Sequence, residues 1–239
     1  MRRPVQALLL TLTGIGLLHI ALFTDTYLRY VKAGLRPLLI ASGALLLLLG
    51  LAGAVCRGSR QHAAHDGHDH SGTPGIAWLL FLPALSLLFH APPALGAYTA
   101  ARSNSKPVTV QKAFAPLPAD SPLPLTLTDF TKRVQQDRSR AVQGRTVRLT
   151  GFVTPDKDGG WYLTRIVFTC CAADSQTVKV RMYGTEAPPA DTWLAVTGTW
   201  HPVGTLGTRT AQAALDVREA QPIAQPVNAY TDDLPLTPS

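Results

Sequence analysis

The stretch that decides the architecture is Val5 to Phe23, VQALLLTLTGIGLLHIALF, nineteen residues without one charged side chain. A hydrocarbon layer about 30 Å thick is crossed by roughly 20 apolar residues in a helix. A helix suits that environment because it pairs every backbone polar group within its own segment. The stretch follows Met1-Arg2-Arg3, so a signal peptide competes for it. Its apolar run is long for such a peptide, and no small-residue cleavage pattern follows in FTDTYLRYV. The sequence therefore predicts an uncleaved helix.

Working outward, Pro37 to Val55 (PLLIASGALLLLLGLAGAV) is also uncharged, and Ser71 to Ala101 contains no Asp, Glu, Lys or Arg. Three spans are expected, at about 5–23, 37–55 and 76–98, within a transmembrane region 1–101. The third is interrupted by Pro83 and Pro92-Pro93, which kink or break a helix. Gly43, Gly50 and Ala54 line one side of the second helix, a small-residue face suited to close approach of a partner helix. His19 and His90 lie within apolar stretches, where a helix–helix hydrogen bond is the expected use. Basic residues flanking the spans are nearly balanced: Arg2, Arg3, Arg57 and Arg60 against Arg29, Lys32, Arg36, Arg102 and Lys106. That count does not settle orientation. The expected location is the cell membrane, multi-pass, with the soluble domain extracytoplasmic.

Only 15% of the 239 residues are charged, against roughly 25% in soluble domains. The deficit sits before Arg102. The net charge is +7, but the cations are scattered and no basic block with interleaved aromatics appears, so nucleic-acid binding is not expected. Three cysteines, Cys56, Cys170 and Cys171, are too few for a disulfide scaffold.

Between the second and third spans the loop 56–75 reads CRGSRQHAAHDGHDHSGTPG. It holds His62, His65, His68 and His70, four of the seven histidines, interleaved with Asp66 and Asp69. Neutral imidazole suits Zn²⁺, Cu²⁺ or Ni²⁺. The glycines keep these ligands unorganised, which points to weak capture rather than a closed structural site. A solvated polar loop is the alternative.

Residues 102–125 contain five prolines and read as an extended linker that holds a folded domain away from the bilayer. A soluble domain is expected at 126–230, followed by a tail at 231–239. Leu127 to Asp137 has a helical apolar spacing at Leu127, Phe130 and Val134, with Thr128 as the expected N-cap. Five strands follow: Thr146–Val153, Trp161–Thr169, Val178–Tyr183, Trp193–Trp200 and Ala214–Ile223. The expected fold class is N-terminal transmembrane α-helices, about three, plus a C-terminal all-β small barrel, OB-like, with one short helix. Gly151 and Gly198 are the expected bend or bulge positions.

The most specific local feature is Ile166 to Asp174, IVFTCCAAD. Adjacent residues on a strand point to opposite faces. At a strand end, however, the chain can turn and bring both thiols and the Asp174 carboxylate to one ion. Thiolates suit Zn²⁺ or Cu⁺. Cys170, Cys171 and Asp174 offer three ligands, leaving a fourth to water, His201 or a partner. A redox pair is a second reading, although adjacent cysteines close only a strained, readily reduced ring. An inert pair is a third.

These parts resemble the YcgQ-like family of bacterial membrane proteins, described as permease subunits. The resemblance is carried by the order of apolar helices and His-rich loop, by LGAYTAARS (Leu95 to Ser103) and above all by RIVFTCCAAD (Arg165 to Asp174). VTGTW (Val196 to Trp200) and P-x-x-x-Y (Pro226 to Tyr230) also fit. It implies a multi-spanning permease as partner, of the kind related to arsenic or other solute efflux, and a part in divalent metal handling. It assigns no residue a role. The expected function is an accessory or regulatory subunit of a membrane permease in transition-metal handling, with Zn²⁺ as the expected ion and the lipid bilayer as its setting. A membrane-anchored thiol redox protein and a purely structural interaction subunit are the alternatives. No Ser/His/Asp context, phosphate-cradling glycine loop or H-E-x-x-H is present, so an enzyme is not expected.

Overall fold

A computed structural model describes residues 3–55, 95–103 and 108–235, and the chain divides into two units, 1–94 and 95–239. The His-rich loop, with His62, His65, His68 and His70, lies outside the described residues. So does the expected third span, except for Leu95 to Tyr98, which fall in the second unit.

The first unit holds α1 (Arg3–Phe23) and α2 (Arg36–Val55), joined by two short 3-10 turns at Thr26–Arg29 and Ala33–Leu35. Both helices are long and apolar enough to cross a membrane. They run antiparallel: the Ala7–Thr11 turn meets Gly50, and Gly14 meets Gly43 and Leu47. A Cβ on Gly14 would stand 2.7 Å from the Leu47 backbone nitrogen and 2.8 Å from the Gly43 carbonyl. The glycine lets the two backbones touch. The face expected to receive a partner helix is thus taken by α1 of the same chain at Gly43 and Gly50, while Ala54 stays exposed. Arg36 closes the hairpin by donating from Nε to the Ala21 carbonyl (2.8 Å), a cation satisfying the end of α1. His19 is exposed, its ring against Phe23, rather than buried in the seam.

The second unit is a six-stranded mixed sheet with two helices. Its elements are α3 (Ala97–Arg102), β1 (Leu123–Pro124), α4 (Leu127–Gln136), β2 (Thr146–Pro155), β3 (Trp161–Val167), β4 (Gln176–Tyr183), β5 (Trp193–Trp200) and β6 (Ala214–Pro222). The strand order is β1-β2-β3-β4-β6-β5, and β5 also pairs with β2. Only β1–β2 and β4–β6 are parallel. β2 serves three neighbours, pairing with β5 over Thr146 to Phe152 along one edge and, along the other, with β1 at Val147 and Arg148 and then with β3 from Phe152 to Pro155. Gly151 sits at this change of partner, and a Cβ there would lie 2.6 Å from the Thr164 carbonyl. Gly198 lies at the register shift between β5 and β6. Both glycines stand where a bend or bulge was expected.

Inward residues of every strand from β2 to β6 form one core with the apolar face of α4. It includes Phe130, Val134, Leu149, Trp161, Leu163, Val180, Val196 and Leu215. Helix α4 is capped by Thr126, whose hydroxyl accepts from the Asp129 N–H (3.1 Å), not by Thr128. The chain is still extended at Thr126, where capping requires non-helical backbone. The proline-rich segment is extended as expected, but it is not free of the domain. The Gln111 N–H donates to the Gln136 side chain (2.8 Å), Arg133 to the Ala115 carbonyl (3.1 Å) and Arg145 to the Pro118 carbonyl (2.7 Å). Proline leaves carbonyls without a local ladder partner, and arginines of the domain collect them.

Candidate metal centre

β3 ends at Val167, two residues earlier than the alternation suggested. Phe168 is buried, and Thr169, Cys170 and Cys171 form a loop before a single 3-10 turn at Ala172–Asp174. Both cysteines therefore lie off the strand. Cys170 is exposed and Cys171 half-buried, and their sulfurs are 3.7 Å apart. The one-in, one-out arrangement of neighbouring strand residues does not apply, because the chain has already turned.

Asp174 organises this turn. Its carboxylate accepts from the N–H groups of Thr169 (3.1 Å), Cys170 (2.8 Å) and Cys171 (3.2 Å). In return Cys171 Sγ accepts from the Asp174 N–H. A carboxylate has about four lone-pair sites. Three are taken by the backbone, and the Cys170 thiol uses the remaining capacity. The hydrogen bond to Asp174, followed by that to Cys171, pushes the Cys170 thiol up to about 11. The same Cys170 contact, with the backbone donors, holds the Asp174 carboxyl below its usual range.

The donor atoms of Cys170, Cys171 and Asp174 all lie within 4.8 Å of one another. Among the described residues this is the cluster of His, Cys, Asp and Glu with metal-ligand spacing. Two sulfurs and one oxygen match the borderline-soft preference of Zn²⁺ and its neighbours. A cation entering here would take the place of the Cys170 proton, leaving the backbone bonds to Asp174 intact. The donor set fits such an ion.

His201 does not join them. It stacks on Tyr183 (ring centroids 4.0 Å apart) and meets Asp216 through Nδ1 at 2.6 Å. Tyr183 ends β4, whereas the thiol loop precedes Gln176 at its start. Seven strand residues separate the two ends by about 23 Å. A fourth ligand must come from water or from outside the described residues.

Several residues around the loop were not singled out from the sequence. Phe168 donates its N–H to the Tyr230 carbonyl (3.0 Å), and the two rings stack at 4.6 Å. Tyr230 Oη donates to the Leu95 carbonyl (2.9 Å). Arg165 donates to the Asn228 and Thr231 carbonyls, both at 3.0 Å. Burial lowers the Arg165 guanidinium to about 10, opposed by the charges of Asp232 and Asp233. The strings LGAYTAARS, RIVFTCCAAD and P-x-x-x-Y thus meet in space. Their separate appearance in the sequence was the available signal, but nothing in it showed that they touch.

Residues 110–231 match the family described as the DUF1980 C-terminal domain. The match spans half of the chain and takes in the docked proline-rich segment, the whole sheet and Tyr230. No curated protein and no solved structure matches the chain.

Proposed function

We propose that this chain, which belongs to the DUF1980 C-terminal domain family, is a membrane-tethered accessory subunit of a permease that binds a transition-metal ion, Zn²⁺ foremost, at Cys170, Cys171 and Asp174. The observation that carries this reading is the convergence of two thiols and one carboxylate within 4.8 Å on an accessible loop. An open three-ligand site suits uptake and release rather than permanent structural binding, which closes all four positions. His62, His65, His68 and His70 then serve as a collecting segment for the same ion.

The membrane setting is supported by α1 and α2, whose glycines face each other while leucines face outward. Two or more passes, a permease seated on those outward leucines and an extracytoplasmic β unit complete the reading. The permease is the partner implied by the likeness to YcgQ-like subunits. The pairing circuit β2-β3-β4-β6-β5-β2 supports a closed OB-like barrel, which presents the loop after β3 at one end.

Thiol redox chemistry is the rival. It would require a disulfide between adjacent residues, which close only a strained, readily reduced ring. The deciding experiment uses full-length Cys56→Ser protein in detergent, so that only the paired thiols remain. Cadmium titration is expected to show sulfur-to-metal charge-transfer absorption saturating at one ion per chain. That signal is lost in Cys170→Ser/Cys171→Ser. Its absence from the protein with both thiols intact, or its persistence without them, defeats the reading.

A further inference from the structure

We infer that Tyr230 is the positioning residue of the thiol site and couples it to Leu95, an inference that rests on the metal-binding reading above. The thiol loop has two roots. Its C-terminal root is fixed locally by Asp174, through the backbone N–H groups and the Cys171 cap. Its N-terminal root is Phe168, the last buried residue before Thr169 and Cys170. Phe168 lies beyond the end of β3, so the sheet ladder no longer holds it. Its backbone N–H is received instead by Tyr230, and its ring lies flat on the Tyr230 ring, 4° from parallel.

The turn that carries Tyr230, closed by the Thr231 N–H on the Asn228 carbonyl, is pinned on both sides of that residue. Arg165 donates to Asn228 on one side and to Thr231 on the other. The Arg165 side chain is buried over the Trp193 ring, so the clip is part of the domain interior and not a surface contact. The position of the Tyr230 ring is therefore set by the core, and the position of Phe168 is set by Tyr230. Donor atoms that must meet one ion tolerate little slack at the loop's root. Residues that orient ligands from behind commonly change metal affinity by about 10–100-fold when altered.

The far end of Tyr230 adds the second half. Its hydroxyl donates to Leu95, the first residue of the β unit and the start of the LGAYTAARS string. The next residues are held to the same domain, with Ala97 N–H on Asp191 and the Ser103 carbonyl on Lys179. One side chain thus contacts both the root of the thiol loop and the point where the domain follows on from the apolar segment. Ordering of the loop by an ion is transmitted through the stacked ring to Leu95.

Tyr230→Phe and Tyr230→Ala separate these roles in full-length Cys56→Ser protein in detergent. The Phe variant keeps the stack and the backbone bond but removes the donor to Leu95. The Ala variant removes the stack. Cadmium affinity, read by sulfur charge transfer, is expected to stay within twofold in the Phe variant and to fall about tenfold or more in the Ala variant. Hydrogen exchange over residues 96–103 is expected to slow on cadmium addition with tyrosine at 230 and to be unresponsive in the Phe variant. Equal affinity in all three proteins overturns the positioning role, and an unchanged exchange response in the Phe variant overturns the coupling. If the starting protein gives no charge transfer, the metal reading itself has failed. Alkylation of the metal-free thiols then judges positioning alone: the ratio of Cys170 to Cys171 rates shifts in the Ala variant and not in the Phe variant, and an unshifted ratio overturns it. Tryptophan fluorescence through a denaturant series confirms that each variant remains folded.

Discussion

The helical hairpin and the β unit place opposite residue types in their interiors. In the hairpin, Gly43 and Gly50 are buried at the helix seam, while Leu12, Leu45, Leu48 and Leu49 point outward. In the β unit, Trp161, Phe130 and Leu163 are fully enclosed, and the outside carries Asp, Lys and Arg. The hydrophobic effect drives large apolar side chains together only where water is the alternative. Where hydrocarbon is the surroundings, a leucine gains nothing by turning inward, and close backbone contact between small residues becomes the selective interaction. The inversion between the two units fits the membrane association proposed for α1 and α2, which are long and apolar enough to cross a bilayer.

Substitutions can break or sharpen this contrast. The largest effect is expected from Trp161→Ala, which leaves a cavity in the core and should destabilise the β unit by about 3–5 kcal/mol in chemical denaturation. A loss below 1 kcal/mol would mean that Trp161 is not a core anchor. Next comes Gly14→Val. Its side chain would collide with the Leu47 and Gly43 backbones, and overpacking of this kind costs about 1–3 kcal/mol. The hairpin should open, as read by loss of crosslinking between cysteines placed at Ala7 and Gly53, whose atoms stand 3.6 Å apart when a Cβ is built on the glycine. Third, Thr126→Ala removes the cap of α4 and should cost about 1 kcal/mol. Thr128→Ala, half-buried and not the cap, should cost less. Smallest is Leu48→Ala: the residue is 64% exposed, and in detergent it should change thermal stability by no more than about 0.5 kcal/mol. A loss comparable to that of Trp161→Ala would show that the outward leucines pack against protein within the chain.

Acidity supplies a finer test at the thiol loop. The Asp174 carboxyl is held below its usual range in the folded protein, so its contribution is complete above the unfolded-state value. It disappears only as the pH falls through the lowered folded value. The loop should therefore stay ordered through mildly acidic conditions, as read by the backbone amide signals of Thr169, Cys170 and Cys171. Metal binding has a different pH course. Cys170 must release its proton to bind an ion, and that proton is held up to about pH 11. Apparent affinity should thus rise about tenfold per pH unit for this one proton across neutral pH.

Much of the fold was legible because it rests on local periodicity. The five longer strands follow β-branched and aromatic runs bounded by turn residues, although β2 and β3 are buried on both faces over 149–154 and 163–166 and do not alternate there, and α4 follows the spacing of Leu127, Phe130 and Val134. β1 was not legible: it has two residues, one of them Pro124, and exists only because β2 offers an edge. The cap of α4 was misplaced by two residues, since Thr126 and Thr128 flank Leu127, the first apolar residue of the helix, and only the backbone conformation distinguishes them. The glycine face of α2 was visible, but its partner was not, because helix partners are a matter of distant contacts.

The site divides in the same way. Cys170, Cys171 and Asp174 lie within five residues, so a turn is enough to gather them. His201 seemed an available ligand only because sequence distance says little about position on a sheet. Phe168 and Tyr230, 62 residues apart, could be joined only by the fold. His62, His65, His68 and His70 retain the role read from their composition as a proposal.

The most direct test of the central claim is X-ray absorption at the zinc edge of full-length, Cys56→Ser protein loaded with one equivalent of Zn²⁺. The account predicts two sulfur scatterers at about 2.3 Å with oxygen or nitrogen completing the shell, and loss of both sulfurs in Cys170→Ser/Cys171→Ser. A shell of nitrogen and oxygen alone in the protein that retains both thiols would contradict it.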